Sequence, residues 1–203
     1  MHNVCKMNFL AHAYLSFGHP EILVGNMISD FVKGKKKFDY LKGIQAGMQL
    51  HRAIDTYTDA HPATKAASIF LKPAVGAYAG AFVDVVYDHF LANDTNEFKE
   101  GGLQQTATET YGILYAFTNQ LPVVFSQMLP YMTSQNWLYN YRTLGGIEKS
   151  FGGVVHRAAY LQSSSEVYQL FQQNYKALQN CYNHFFPNVK AYAHTYLQTL
   201  QKP

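Results

Sequence analysis

The sequence predicts an all-α protein, a single-domain helical bundle over residues 1–203, and three stretches carry that prediction. Leu50–Pro62 reads Leu-His-Arg-Ala-Ile-Asp-Thr-Tyr-Thr-Asp-Ala-His-Pro. Its His51, Asp55 and Asp59 stand four apart, a spacing that stacks them on one helix face. Val75 to Ala92 is apolar on all sides, the pattern of a buried helix. Residues 164–202 form a long Gln/Tyr-rich helical stretch, expected to break near Pro187. No repeat, low-complexity tract or linker divides the chain, and 203 residues can bury a core without staples.

Composition narrows the function classes. Hydrophobic residues make up 48% and charged residues only 14%, so Gln, Asn, Ser, Thr and Tyr must supply much of the polar surface. The 16 basic and 13 acidic residues leave +3, too little to argue for nucleic acid. It suits an acidic partner meeting a local basic patch. Cys5 and Cys181 lie far apart with no CxxC, which points to a reducing, cytoplasmic setting. The N-terminal stretch has no apolar run long enough for a signal peptide or membrane span, and His12 interrupts its nearest approach. Met7 is the expected functional start.

Residues 7–17 suit a buried helix with His12 inside it, either a satisfied core residue or a ligand. After the turn Gly18-His19-Pro20 a second helix begins at Glu21. Val24–Gly34 holds a single acid, Asp30, among apolar residues; unpaired burial is costly, so a ligand, a cap or an ion pair is expected. Lys33, Lys35, Lys36 and Lys37 read as a solvated turn, with Lys33 one turn from Asp30. The central helix covers 41–61, with no Lys between residues 43 and 64 to pair its acids. A short helix over 63–72 should end at Lys72-Pro73.

In the apolar segment after Val75, small residues at 76, 77, 79, 80 and 81 would permit close packing. Asp84 and Asp88 stand four apart with His89 beside them. Two buried carboxylates on one face repel unless something positive lies between them, which argues for a metal. The competing reading is a protonated or Arg-paired core Asp. Residues 93–106 are turn-like, and 107–140 has helical spacing broken near Pro122 and Pro130. In 142–157, Gly145-Gly146 and Gly152-Gly153 read as turns beside Arg142, Lys149 and Arg157, since no phosphate-loop signature appears.

His12, Asp30, His51, Asp55, Asp84, Asp88 and His89 thus fall on four successive predicted helices. Helical proteins build metal sites from such inward-pointing residues. A His/Asp mixture favours Mn²⁺, Mg²⁺, Fe or Zn²⁺ over a structural Cys zinc. Phosphoester hydrolysis is the natural chemistry. The bland reading is a set of packed or solvated acids that bind nothing.

Four motifs carry a resemblance: Met7-Asn-Phe-Leu-Ala-His12; Gly25-Asn-Met-Ile-Ser-Asp-Phe-Val-Lys-Gly34; Leu50-His-Arg-Ala-Ile-Asp55 with Thr58-Asp-Ala-His-Pro62; and Asp84-Val-Val-Tyr-Asp-His-Phe-Leu-Ala92. In this order they resemble the bacterial acyl carrier protein phosphodiesterases, regarded as divergent relatives of the HD-domain phosphohydrolases. The resemblance implies an HD-like bundle with its metal-site half at about 7–92 and C-terminal helices at about 103–203. It implies hydrolysis of 4′-phosphopantetheine from the serine of holo acyl carrier protein, with Mn²⁺ or a similar divalent ion. Asp30, His51, Asp55 and Asp84 are then the expected metal ligands. Asp88, His89 and His12 are the expected catalytic residues, with His89 or His51 protonating the leaving serine. Arg52 and Lys33 would steady the phosphodiester, and the lysine loop with Arg142 would steer the acidic carrier protein. Where the family often carries His-Trp after the last motif, this chain has Asn93-Asp94. Two alternatives stand beside this reading: a phosphohydrolase of nucleotides or other small phosphodiesters, and a non-catalytic helical binding protein.

Overall fold

The computed structural model describes residues 9–201, and among them are eleven α-helices, four short 3-10 segments and no strand. The helices are α1 Phe9–Tyr14, α2 Pro20–Ile28, α3 Lys42–Ala60, α4 Pro62–Val75, α5 Ala79–Ala92, α6 Gly102–Ala116, α7 Val123–Ser134, α8 Trp137–Asn140, α9 Leu144–Arg157, α10 Ser165–Gln173 and α11 Tyr175–Leu200. The all-α expectation holds. Residues 7 and 8 of the first motif, and Cys5, lie outside the described residues.

The helix expected over 7–17 stops at Tyr14. Phe17 and Gly18 both take positive φ, 51° and 77°, and turn the chain before Pro20 opens α2. α2 and α3 then cross backbone to backbone at Gly25 and Gly47. A Cβ built on Gly25 would lie 2.0 Å from the Ile44 carbonyl oxygen, and one on Gly47 would lie 2.2 Å from that of Ile22. This contact sets the distance between Asn26 on one helix and His51 on the other. Close packing was also expected from the small residues at 76, 77, 79, 80 and 81, and Ala79 and Ala81 are indeed buried in α5. A Cβ at Gly76 or Gly80 would meet nothing within 4 Å, so those glycines leave open space rather than a tight crossing.

Pro62 begins α4, and the His61 ring caps it by accepting the Ala63 N–H at 3.2 Å. Three expected breaks are absent. Pro73 sits in the last turn of α4, and Pro130 and Pro187 lie inside α7 and α11. A proline removes one backbone bond and crowds the preceding turn. Around Pro187, buried Phe185, Phe186 and Val189 anchor both halves of the helix, and packing outweighs the local cost. Gly145, Gly146, Gly152 and Gly153, expected as turns, lie within α9.

Every residue of α5 except Gly80 is buried, as its all-round apolar pattern requires. Pro62–Ala92 is long and apolar enough to cross a membrane by composition. Gly76, at φ 54°, ends α4, and a 3-10 turn at Gly76–Tyr78 separates it from α5, whose apolar surface the core takes up. α11 packs along α3, α4 and α5, so one hydrophobic core runs through both ends of the sequence.

Candidate metal centre

Asn26, fully buried on α2, organises the site. Its amide nitrogen donates to the His12 carbonyl at 2.8 Å and to Ser16 Oγ at 3.1 Å, which leaves Oδ1 as the acceptor. That oxygen lies 2.7 Å from His12 Nδ1, so Nδ1 carries the proton and donates. The Asn26 backbone carbonyl lies 2.7 Å from His51 Nδ1 and sets the same tautomer there. One residue therefore fixes two imidazoles with their Nε2 lone pairs available. The rings stack with centroids 4.0 Å apart and planes 20° from parallel. Such an outer hydrogen bond to each ligating imidazole is the usual companion of a metal site.

Asp55, one turn along α3, supplies the carboxylate. Its Oδ1 lies 3.3 Å from His12 Nε2 and its Oδ2 lies 3.5 Å from His51 Nε2. Asp30 Oδ1 is 3.3 Å from His51 Nε2. The two carboxylates are partly open, with side chains 22% and 28% exposed, while both imidazoles are buried. Burial and the neighbouring His51 ring push His12 below its ordinary pKa, against Asp55. Burial also presses His51 down, but its bond to Asp30 and the charges of Asp55 and Asp30 outweigh that and raise it. Burial raises Asp30, and the His51 bond and charge overturn this and hold its carboxyl low.

His12, His51 and Asp55 offer donor atoms all within 4.8 Å of one another, a candidate metal-binding triad. Its geometry fits an ion better than a hydrogen-bonded ion pair. Charge-assisted N–H···O contacts are about 2.7–2.9 Å, shorter than the separations here. Ligand bonds of about 2.1 Å at right angles around one ion place neighbouring donors about 3 Å apart. His12 Nε2 is buried and makes no well-formed hydrogen bond. Beside it is a void of about 10 Å³ bounded by Phe9, Phe31 and Met27 as well as His12, Asp30 and His51. That is the room needed by about one water-sized sphere.

A family profile described as Acyl carrier protein phosphodiesterase matches residues 7–189. The chain belongs to the acyl carrier protein phosphodiesterase family. Relatives of that name from Salmonella agona (strain SL483) and Enterobacter sp. (strain 638) are 28% and 29% identical over 188 residues, covering 92% of this chain and 97% of theirs. No solved structure matches the chain.

Of the residues the family motifs single out, the structure brings His12, Asp30, His51 and Asp55 together. Asp84, Asp88 and His89 stand outside that group, and each has its own surroundings in α5. Asp88 accepts the backbone N–H groups of Leu10 at 3.0 Å and Ala11 at 2.8 Å, so it caps the start of α1 and positions His12 from below. Burial raises its carboxyl well above the usual range, against those two donors. Asp84, one turn earlier, is buried in the core. His89, expected as proton donor, has Nδ1 2.7 Å from the Tyr141 carbonyl and Nε2 2.9 Å from the Tyr175 hydroxyl, among Phe90 and Phe171. Arg52 and Lys33 are exposed, and Asp59 is exposed near the end of α3. Asn93, at the family's departure point, donates to the His89 and Arg142 carbonyls.

Asn26 and Ser16 escaped the sequence reading because it collected acids and imidazoles and passed over neutral polar groups. A signal existed: Asn26 is the one amide in the apolar run Ile22–Ile28, and burying an amide there demands partners.

Proposed function

We propose that the protein is a divalent-metal-dependent phosphodiester hydrolase that releases 4′-phosphopantetheine from the serine of holo acyl carrier protein. The observation that carries the metal chemistry is the double hold of Asn26 on His12 and His51 beside the Asp55 carboxylate. The relatives' name, Acyl carrier protein phosphodiesterase, supports the substrate. His12, His51 and Asp55 would hold the ion, with Asp30, kept anionic by His51, as the fourth candidate ligand. Mn²⁺ is the expected metal, with Mg²⁺, Fe²⁺ or Zn²⁺ compatible with the same donors. When bound, such an ion supplies a Lewis acid and an acidified water. Hydrolysis adds water across the bond between phosphorus and the serine oxygen, freeing the serine hydroxyl and the phosphorylated arm.

The rim suits an acidic protein substrate. Lys33, Lys35 and Lys36 are exposed just after Asp30 and Phe31, which line the void. Lys37 sits over Phe38, 4.9 Å from its centroid, and that ring is 63% exposed. Basic side chains around an apolar anchor steer and then seat an acidic surface. Lys33 and Arg52 would meet the phosphodiester. A cytoplasmic setting accords with the free thiol of Cys181.

The test is mass spectrometry of holo acyl carrier protein after incubation with the Mn²⁺-loaded protein, with Asp55→Asn and His51→Ala as controls. Wild type should remove the phosphopantetheine mass and neither control should. Cleavage of small phosphodiesters with holo carrier protein left intact would reject the substrate assignment.

A further inference from the structure

A second cleft, of about 600 Å³, opens between α7, α8 and α9 and shares no lining residue with the void at the metal centre. Its volume lies in the range of small-molecule sites. No Asp or Glu lines it, whereas Lys149, His156 and Arg157 do. His156 and Arg157 follow Lys149 by about two turns of α9, so the three side chains share one wall and Lys149 and Arg157 bring positive charge to it. The same side carries Gly145 and Gly152, where an added Cβ would meet nothing within 4 Å. Packing therefore does not require those glycines, and each weakens the helix relative to alanine. Their effect is to leave the backbone of that wall bare. The start of α9 also opens here: Thr143 accepts the Gly146 N–H at 2.9 Å, and the positive end of the helix faces the cleft residues Gly145 and Gly146. Met128 of α7 and the half-buried Trp137 of α8 also line the cleft, and the Trp137 indole N–H donates to Gln135 Oε1 at 3.1 Å.

We infer that this cleft binds a phosphorylated small molecule, its phosphate between Lys149 and Arg157 and its planar or apolar body against Trp137 and Met128. A nucleotide and free 4′-phosphopantetheine share that chemistry. The inference is independent of the metal centre and of the activity proposed for it.

Trp137 is the chain's single tryptophan, so its fluorescence reports on this cleft directly. The full-length protein is titrated with ADP, with 4′-phosphopantetheine and with inorganic phosphate, and calorimetry repeats each titration. At least one organic ligand should saturate a 1:1 fluorescence change, and which one does so identifies the body. Lys149→Glu should weaken that binding about tenfold or more. Gly152→Leu, which fills the cleft while favouring the helix, should abolish it with the fold intact by circular dichroism. His51→Ala should leave it unchanged. The inference is overturned if no ligand gives a signal at millimolar concentration, or if Lys149→Glu and Gly152→Leu both bind like wild type. It also fails if inorganic phosphate binds as tightly as the organic ligands, or if His51→Ala loses the binding.

Discussion

The imidazoles of His12 and His51 stack 4.0 Å apart because one residue, Asn26, holds both Nδ1 atoms at 2.7 Å. Only the His12 bond uses the Asn26 side chain; the His51 bond uses the backbone and survives substitution. Asn26→Ala should therefore loosen His12 and leave His51 oriented. Loss of such outer-sphere bonds typically costs ten- to a hundredfold in metal affinity. A competition titration with a coloured chelator should show a drop of about that size. Unchanged affinity would remove Asn26 from the account.

Metal uptake should depend on pH through His51. Its folded pKa lies above the ordinary 6.5, whereas that of His12 lies below it. Below the raised value an incoming ion must displace the His51 proton; above it, no proton is in the way. Affinity should therefore rise with pH from about 6 and level off past the raised pKa. For the metal-free protein the sign is opposite. The stability His51 contributes is full below its unfolded pKa and is lost as pH rises through the folded one. Calorimetry near pH 6.5 in two buffers of different ionisation enthalpy should show about one proton released per ion. Affinity flat across this range would contradict the assignment.

The α2–α3 crossing should tolerate no side chain at its closest point. Gly25→Ala places a carbon about 2 Å from a backbone oxygen that no rotamer change can move aside. Overpacking typically costs 1–3 kcal/mol, and a backbone clash should reach about 3 or more. Gly80→Ala, facing open space within a helix, should instead be neutral or stabilising by about 0.5–1 kcal/mol. Thermal melts of the two variants should separate in opposite directions, and equal losses would refute this view of the crossing.

Asp88→Ala should act through α1. It removes the acceptor for the buried Leu10 N–H and the half-buried Ala11 N–H, leaving both without their cap. Loss of a cap costs about 1 kcal/mol, and stranding buried donors adds about 1–3. Asp88→Asn keeps one acceptor and should recover part of the loss. A chemical denaturation series across wild type, Asn and Ala should order them in that sequence. Equal stability with lost metal would instead make Asp88 a ligand.

His89 separates two roles cleanly. A catalytic acid contributes about 10²–10⁴-fold. A core histidine with both ring nitrogens engaged contributes stability. His89→Gln should lower stability by about 1–3 kcal/mol and change turnover of holo carrier protein less than about tenfold. A loss of a hundredfold or more in a folded variant would restore the proton-donor role.

Much of the fold was legible because helical periodicity is local. The four-residue step from His51 to Asp55 becomes two donors 3.5 Å apart, and the all-round apolar run after Val75 becomes the buried α5. What stayed hidden depends on contacts across the chain. Asp84 and Asp88 suggested a shared ion, but Asp88 serves a helix start 77 residues away. Gly25 and Gly47 look like weak helix residues until their backbones are seen to touch. Pro130 and Pro187 looked like breaks because propensity cannot weigh the packing around them. Asn26 carries no charge, and its role rests on partners from α1 and α3 that only the fold brings to it.

His12, His51 and Asp55 are proposed to hold one divalent ion. A crystal grown with Mn²⁺ and measured for anomalous scattering tests it most directly. A single strong peak is expected about 2.1 Å from both Nε2 atoms and from an Asp55 oxygen. A peak between Asp84 and Asp88, or no peak from a protein fully active on holo acyl carrier protein, would contradict it.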